Sequence, residues 1–538
     1  MGSESNHVEK LDALVVGAGF GGVYQLKRLR ELGYRTKLVD SGGDYGGVWY
    51  WNRYPGARVD STTPHYEFDD PALWSTWIWK QRFPDSLEIR DYFSHVAEVW
   101  DLRKDTYFNT FVKSASWNDS ETLWTIETRE GIVFEAKYFL LNTGFAAKRY
   151  IPDWPGIETF KGTFIHPSYW PHEDLDLKGK RVAIIGTGST GVQLATELSS
   201  AVSELVIFQR TPNTALPMKQ VNYKNGEQAL RREAYPELFR ARPLSFSGFS
   251  FSPIGRNTFD DPLEKRLAIY EALWKEGDFK FWLANYQDLL SSKAANNEAY
   301  SFWRDKTRAK IHDPRKQDLL APITAPYSFG CKRISLEQGY FEIFNKPHIY
   351  LVDVNATPVQ TITGKGIRTS EKEWEFDHII CATGFDSITG GLKQIDIKSI
   401  CGESLADYWK KGTRTYLGMT VSGFPNMFFT YGPQGPTALC NGPTCAQMQG
   451  DWIVGLITRM REAGERKVVA EKEFEERWRQ TILTLASMTL VPDTKSWYMG
   501  DNVPGKPREP LLYLGGVSNY YATLNEVAAD GYPGFVFE

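Results

Sequence analysis

The tightest constraint on the fold is one local pattern that the chain uses twice: a short apolar run, a Gly-x-Gly-x-x-Gly turn, then a segment of helical periodicity. At 11–16, LDALVV is an apolar run of strand length. GAGFGG follows, with Gly17, Gly19 and Gly22, and then Val23, Leu26 and Leu29 recur at helical spacing. TKLVD at 36–40 reads as the next strand. The pattern returns at 180–210 as KRVAIIG, the turn GTGSTG with Gly186, Gly188 and Gly191, the helix VQLATELSSAV and the strand ELVIFQR. In such turns the first glycine permits the tight bend, the second lets backbone approach a pyrophosphate, and the third lets helix pack on strand. The phosphate then rests on the helix N-terminus, where free N–H groups and the helix dipole favour negative charge. A plain strand-to-helix connector explains one such turn as well as a ligand site does.

What closes the second strand distinguishes the two units. Asp40 ends the first, where a carboxylate accepts hydrogen bonds from ribose hydroxyls and so selects a ribose without a 2′-phosphate, as in FAD or NAD. The other second strand ends in Gln209, Arg210 and Thr211, and a cation with a hydroxyl there suits the 2′-phosphate of NADPH. Two turns with opposite end-of-strand chemistry make mere connectors a poor account. They imply two dinucleotides in one chain, with hydride passing from a nicotinamide to a flavin.

The chain has 538 residues, too many for one ordinary core, and its 42% hydrophobic and 24% charged content is that of a globular protein. The expected fold is α/β, with two nested Rossmann-like dinucleotide-binding domains and a helical insertion in the NADP domain. Residues 221 to about 325 are charged, aromatic and poor in strand patterns, and DPLEKRLAIYEALWKEG looks helical. The expected division is FAD domain at 1–150, NADP domain at 151–220, insertion at 221–328, NADP domain again at 329–385 and FAD domain again at 386–538. Strands are expected at HIYLVDV, HIICATG and NMFFTYGP, with an amphipathic helix ending near Arg461. LNTG at 141–144 and CATGFD at 381–386 read as strand-end turns where the chain crosses between domains, or as ordinary loops.

A formal charge of −4 argues against a general polyanion binder, so phosphate recognition must come from local groups and no nucleic-acid partner is expected. The five cysteines include no Cys-x-x-Cys, which supports neither a disulfide framework nor a zinc ribbon and suits a reducing compartment. No metal is expected. The N-terminus MGSESNHVEKLD lacks the apolar core of a signal peptide, and no uncharged apolar stretch would span a bilayer. The expected location is cytoplasmic, with no membrane partner.

FKGTFIHPSYWP at 160–171 carries Phe160, Gly162, His166, Trp170 and Pro171 in the spacing F-x-G-x-x-x-H-x-x-x-W-P. GGVWYWNRYPGARVD at 46–60 carries Gly46, Gly47, Trp49, Tyr54, Pro55, Gly56 and Asp60. In both, the chain resembles the type I Baeyer–Villiger monooxygenases, and the resemblance extends through FGCKR, DHIICATGFD, GFPNMFF and SWYMG. It implies that NADPH reduces FAD, that O2 adds to the reduced flavin as a peroxide, and that this peroxide attacks a ketone to yield an ester or lactone, with sulfoxidation as a side activity. An anionic peroxide must survive in a water-poor pocket, where a fixed cation stabilises it most. Arg333 matches the active-site arginine of the family, and Asp60 the acid that partners it; arginine suits the task because it stays protonated.

The resemblance further assigns Gly17, Gly19, Phe20, Gly22, Asp40, Gly47, Val48, Trp49, Tyr54, Asp60, Tyr66 and Val112 to FAD. It assigns Thr187, Gly188, Ser189, Thr190, Gly191, Gln193, Arg210, Thr211, Lys332, Arg333 and Trp497 to NADP, with Trp497 in a mobile loop at about 487–504. Thr437, Ala438 and Leu439 would line the substrate pocket, and the expected state is a monomer. Read without the family, Arg333 is a surface ion pair and Asp60 a turn cap. His166 is taken as a backbone anchor in a linker rather than a base, and Cys440 and Cys445 as free thiols. Two positions depart from the family: Asp40 where Glu is frequent, and Thr62 where many members carry an acid. The rival readings are a heteroatom (N or S) hydroxylase and a flavoprotein that binds cofactors without oxygenating.

Overall fold

The computed structural model describes residues 8–173, 175–224 and 227–538; the polar segment 1–7 lies outside the described residues. The first glycine turn ends the strand Val8–Val16, which pairs in parallel with Thr36–Val39 on one side and Val133–Leu141 on the other. This strand starts earlier than its apolar run suggests. Val8, Glu9 and Lys10 lie opposite Val133, Phe134 and Glu135, so cross-strand pairing recruits polar residues that carry no pattern of their own. Two antiparallel strands, Val112–Asn118 and Leu123–Thr128, extend the sheet. The C-terminal third returns to it through Asp396–Lys398 and Met427–Phe429.

The second turn belongs to a separate five-stranded sheet in the order Ile349–Asp353, Glu204–Gln209, Arg181–Ile185, His378–Cys381, Thr163–Ile165. Every pairing in it is parallel. Parallel strands are covered on both faces, which is why Arg181–Ile185 and Glu204–Gln209 are buried along nearly their whole length. Both glycine turns lie at the carboxyl ends of their strands, where open α/β sheets bind ligands.

Between Leu216–Pro217 and Leu336–Glu337 the described chain is helical and irregular. Its longest helices are Leu263–Glu276, ended by Gly277 in the left-handed region (φ +62°), and Lys293–Arg308, capped by the Ser292 side chain accepting from the Ala295 N–H. Trp303 is fully buried and donates its indole N–H to the Ala215 carbonyl at 2.8 Å, which ties the insertion to the strand it leaves. The helix Gly442–Ala463, expected to be amphipathic, is buried on several faces instead. It packs against both Phe20–Glu31 and Val517–Ala529, and Gly450 gives the Tyr24 ring its close approach. All five cysteines are free thiols.

Candidate active site

One continuous cavity of about 1570 Å³ runs along the carboxyl ends of both sheets and reaches the two glycine turns. It exceeds the roughly 300–1,000 Å³ of an ordinary ligand pocket, so it has room for more than one large ligand. Gly17 (φ +103°) and Gly186 (φ +108°) adopt the same left-handed conformation, and a Cβ on either would strike a neighbouring carbonyl, of Asn142 or Ala382. A Cβ on Gly22 or Gly191 would run into the carbonyl oxygen of Gly17 or Gly186. These third glycines do not line the cavity; they let the helix close on its strand. The second glycines do line it, and nothing lies within 4 Å of a Cβ on Gly188. The open side of each turn is therefore bare backbone facing the cavity, as a pyrophosphate requires.

Along the first groove Phe20, Asp40, Gly47, Val48, Trp49, Tyr66 and Val112 line the cavity. The Asp40 carboxylate accepts the Ala18 and Gly42 N–H groups, each at 2.6 Å. Burial pushes its pKa up while those two hydrogen bonds pull it down. Each oxygen keeps further lone-pair capacity toward the cavity, so a ribose diol still finds its acceptor. The Trp49 indole donates to the Tyr66 hydroxyl at 3.0 Å, fixing two rings edge to face on the wall.

In the second groove Thr187, Gly188, Ser189, Thr190, Gln193 and Thr211 line the cavity. Arg210 and Lys332 converge there. Burial, followed by the charge of Arg210, brings the Lys332 pKa down to about 8. Its ammonium rests over the Tyr327 ring at 4.6 Å, and no acid pairs with either cation among the described residues. Two facing cations without an anion fit a 2′-phosphate. Tyr54, assigned to the first dinucleotide, reaches across: its hydroxyl donates to Gln193 Oε1 at 2.8 Å, and Gln193 Nε2 donates to the Arg58 carbonyl. It therefore couples the two grooves.

Arg333 sits where the grooves meet. Its Nη2 donates to both Asp60 oxygens at 2.7 and 2.8 Å, and its Nη1 to the Ala438 carbonyl at 2.9 Å. Burial pulls its pKa down, but the Asp60 carboxylate more than reverses this, so the guanidinium remains a fixed cation. Ala438 and Leu439 line the cavity beside it. Thr437 does not. Its backbone is twisted to φ +30° and its hydroxyl donates to the Gly432 carbonyl, which turns it into the protein. Cys440, read from the sequence only as a free thiol, and Asn441 line the wall instead. Phe249, Phe279, Trp282 and Leu283 from the insertion add an apolar face that no local motif announces. Trp497 also lines the cavity, stacked on Phe145 with ring centroids 5.4 Å apart.

The fingerprint residues stand behind the site. His166 Nε2 lies 2.9 Å from the Gly384 carbonyl oxygen and its Nδ1 2.9 Å from the Ser168 hydroxyl. Burial brings its pKa down to about 4, so it is a neutral backbone anchor. Phe160 packs under the second sheet, Gly162 lies against the Asp377 carbonyl, and Trp170 is buried. These residues and Pro171 stay off the cavity wall, whereas Tyr169 lies on it.

Two Rossmann-like grooves that share one cavity around a half-buried Arg–Asp pair define a flavoprotein of the two-dinucleotide class. The flavin-binding monooxygenase-like family matches residues 10–223. The chain is 45% identical to cyclopentanone 1,2-monooxygenase of Comamonas sp. (strain NCIMB 9872), over 99% of this chain and 97% of that one. Cyclohexanone monooxygenase from Rhodococcus sp. Phi1 bound to NADP+ superposes with a TM-score of 0.95 at 35% identity, covering 99% of this chain and 100% of that one. The OTEMO complex with FAD and NADP gives 0.94 at 32% identity, covering 98% and 99%. The chain belongs to the flavin-binding monooxygenase-like family and, within it, to the type I Baeyer–Villiger monooxygenases. It is an FAD- and NADPH-dependent monooxygenase. No helix among the described residues is long and apolar enough to cross a membrane.

Proposed function

We propose that this enzyme inserts one oxygen atom of O2 beside the carbonyl of a small ketone, cyclic ketones included, to give an ester or lactone, and that it works as a cytoplasmic monomer. FAD, when bound, supplies oxygen activation after reduction by NADPH. The chain's residues supply the rest. Asp40 holds the flavin ribose, while Arg210, Thr211 and Lys332 hold the 2′-phosphate of NADPH. The Arg333 guanidinium, kept protonated and aimed by Asp60, opposes the negative charge that develops as oxygen passes to the carbonyl. In a water-poor wall of aromatic side chains that charge is stabilised more than it would be in bulk water. Phe249, Phe279, Trp282, Leu439 and Cys440 shape the apolar space for the ketone. We place the domain boundaries, as part of the same proposal, at 150, 220, 328 and 385.

One observation carries this reading: the guanidinium of Arg333 is held by both oxygens of Asp60 at 2.7–2.8 Å where the two grooves join. The purified flavoprotein, given NADPH, air and a panel of small cyclic, large cyclic, linear and aryl ketones, is expected to form esters or lactones from at least one class. NADPH oxidation that yields only hydrogen peroxide across the whole panel, or heteroatom oxidation with every ketone untouched, rejects it.

A further inference from the structure

The C-terminal segment that carries Trp497 is held down by a buried ion pair outside the cavity. Lys506 donates to Asp386 Oδ1 at 2.8 Å and to the Ser387 carbonyl at 2.7 Å; the two side chains are only 6% and 9% exposed. Four residues earlier, Asn502 Nδ2 donates to the Phe385 carbonyl at 2.6 Å. The preceding carbonyl, of Gly384, is the one that meets His166. Segment 384–387 is therefore gripped on one side by the fingerprint histidine and on the other by the strap 495–506. Gly384, Phe385 and Ser387 line the cavity from one side, and Ser496, Trp497 and Asn502 from the other. A flexible lysine is a costly group to bury, and it is retained where its charge fixes one arrangement of two chain segments.

We propose that Lys506 is a positioning residue for the nicotinamide dinucleotide: its ammonium, clamped by Asp386 and Ser387, holds strap 495–502 against segment 384–387 and so sets Trp497 over the second groove. This rests on reading Trp497 as a residue that faces the nicotinamide. The clamp lies outside the cavity, so its loss should leave the Arg333–Asp60 pair and the flavin groove as they are.

The test uses FAD-loaded enzyme with Lys506→Met, Asp386→Asn, the double variant and Lys506→Arg. Expected for Lys506→Met are normal FAD content, a tenfold or greater rise in both the dissociation constant of NADP+ by equilibrium dialysis and the KM for NADPH, and kcat at saturating NADPH within about threefold of the parent. Trypsin should cut faster after Lys495, which is exposed on the strap. Asp386→Asn should match it, the double variant should be no worse than either single one, and Lys506→Arg should recover most of the affinity. If Lys506→Met does not fold, Lys506→Arg and Asp386→Glu carry the same readouts in smaller steps. Variants that lose only thermal stability, with NADP+ affinity, KM and strap cleavage unchanged, overturn the proposal. Loss of ester formation at saturating NADPH with affinity intact would overturn it too, while leaving the function proposed above standing.

Discussion

The two glycine turns are nearly superimposable in logic, yet the residues that close their second strands behave in opposite ways. At the first turn Asp40 is buried and already bound to backbone, with its oxygens on the Ala18 and Gly42 N–H groups. At the second, Arg210 is exposed, Lys332 is half-buried, and the two face each other without an acid among the described residues. The first end is preorganised and satisfied before any ligand arrives, whereas the second is in electrostatic debt until an anion arrives. The glycines make a generic seat for a pyrophosphate, and in the function proposed above the strand end selects which dinucleotide sits in it. The difference also suits a resident flavin against a nicotinamide that must come and go, since a preorganised site loses less on binding.

The most severe break in this comparison is at Asp40. Asp40→Ala strands two buried N–H groups, each costing about 1–3 kcal/mol, and removes the ribose acceptor. The protein should purify colourless, with a lower melting temperature and no NADPH oxidation; a yellow, active Asp40→Ala protein would refute the assignment of that groove. Arg333→Ala, at the junction, comes next. FAD content should be normal and NADPH still oxidised, while ester formation falls ~100- to 1,000-fold, the cost of about 3–4 kcal/mol for removing one such electrostatic donor. Product analysis alongside NADPH consumption separates the two outcomes.

Lys332→Ala tests the second groove alone. Losing one charge-assisted contact to phosphate, worth about 1.5–3 kcal/mol, should raise the KM for NADPH by roughly 10- to 100-fold and leave that for NADH unchanged. The same lysine gives a pH signature. Its pKa in the ligand-free protein is about 8, so above that pH it must take up a proton to meet the phosphate. NADPH affinity should therefore fall as pH rises through 8, and Lys332→Arg should flatten the profile. The smallest effect is expected at Gly188. A Cβ there meets nothing within 4 Å, so Gly188→Ala should leave the melting temperature almost unchanged while NADPH binding weakens, because the added methyl occupies the face that backbone offers to the pyrophosphate.

What the sequence by itself determined is everything whose cause lies within a few residues. Left-handed glycines, helix N-termini and the residue that closes a strand are set by local sterics and hydrogen bonding, so both grooves were readable from 11–40 and 180–211, and the proposed choice of dinucleotide rests on the same segments. Arg333 and Asp60 were legible only through resemblance, since nothing near them in the sequence separates a surface ion pair from one that lines a cavity. Tertiary structure decided the rest. Asp60 and Arg333, 273 positions apart, meet because the insertion and the second sheet return the chain to the first groove. Tyr54 bridges to Gln193 for the same reason. Thr437 turns away while Cys440 and Asn441 face inward, because a positive φ resets the direction of that loop, and no spacing rule foresees such a step. Side-chain direction in irregular backbone and contacts across long loops depend on how distant segments pack, and that information is spread over the whole core.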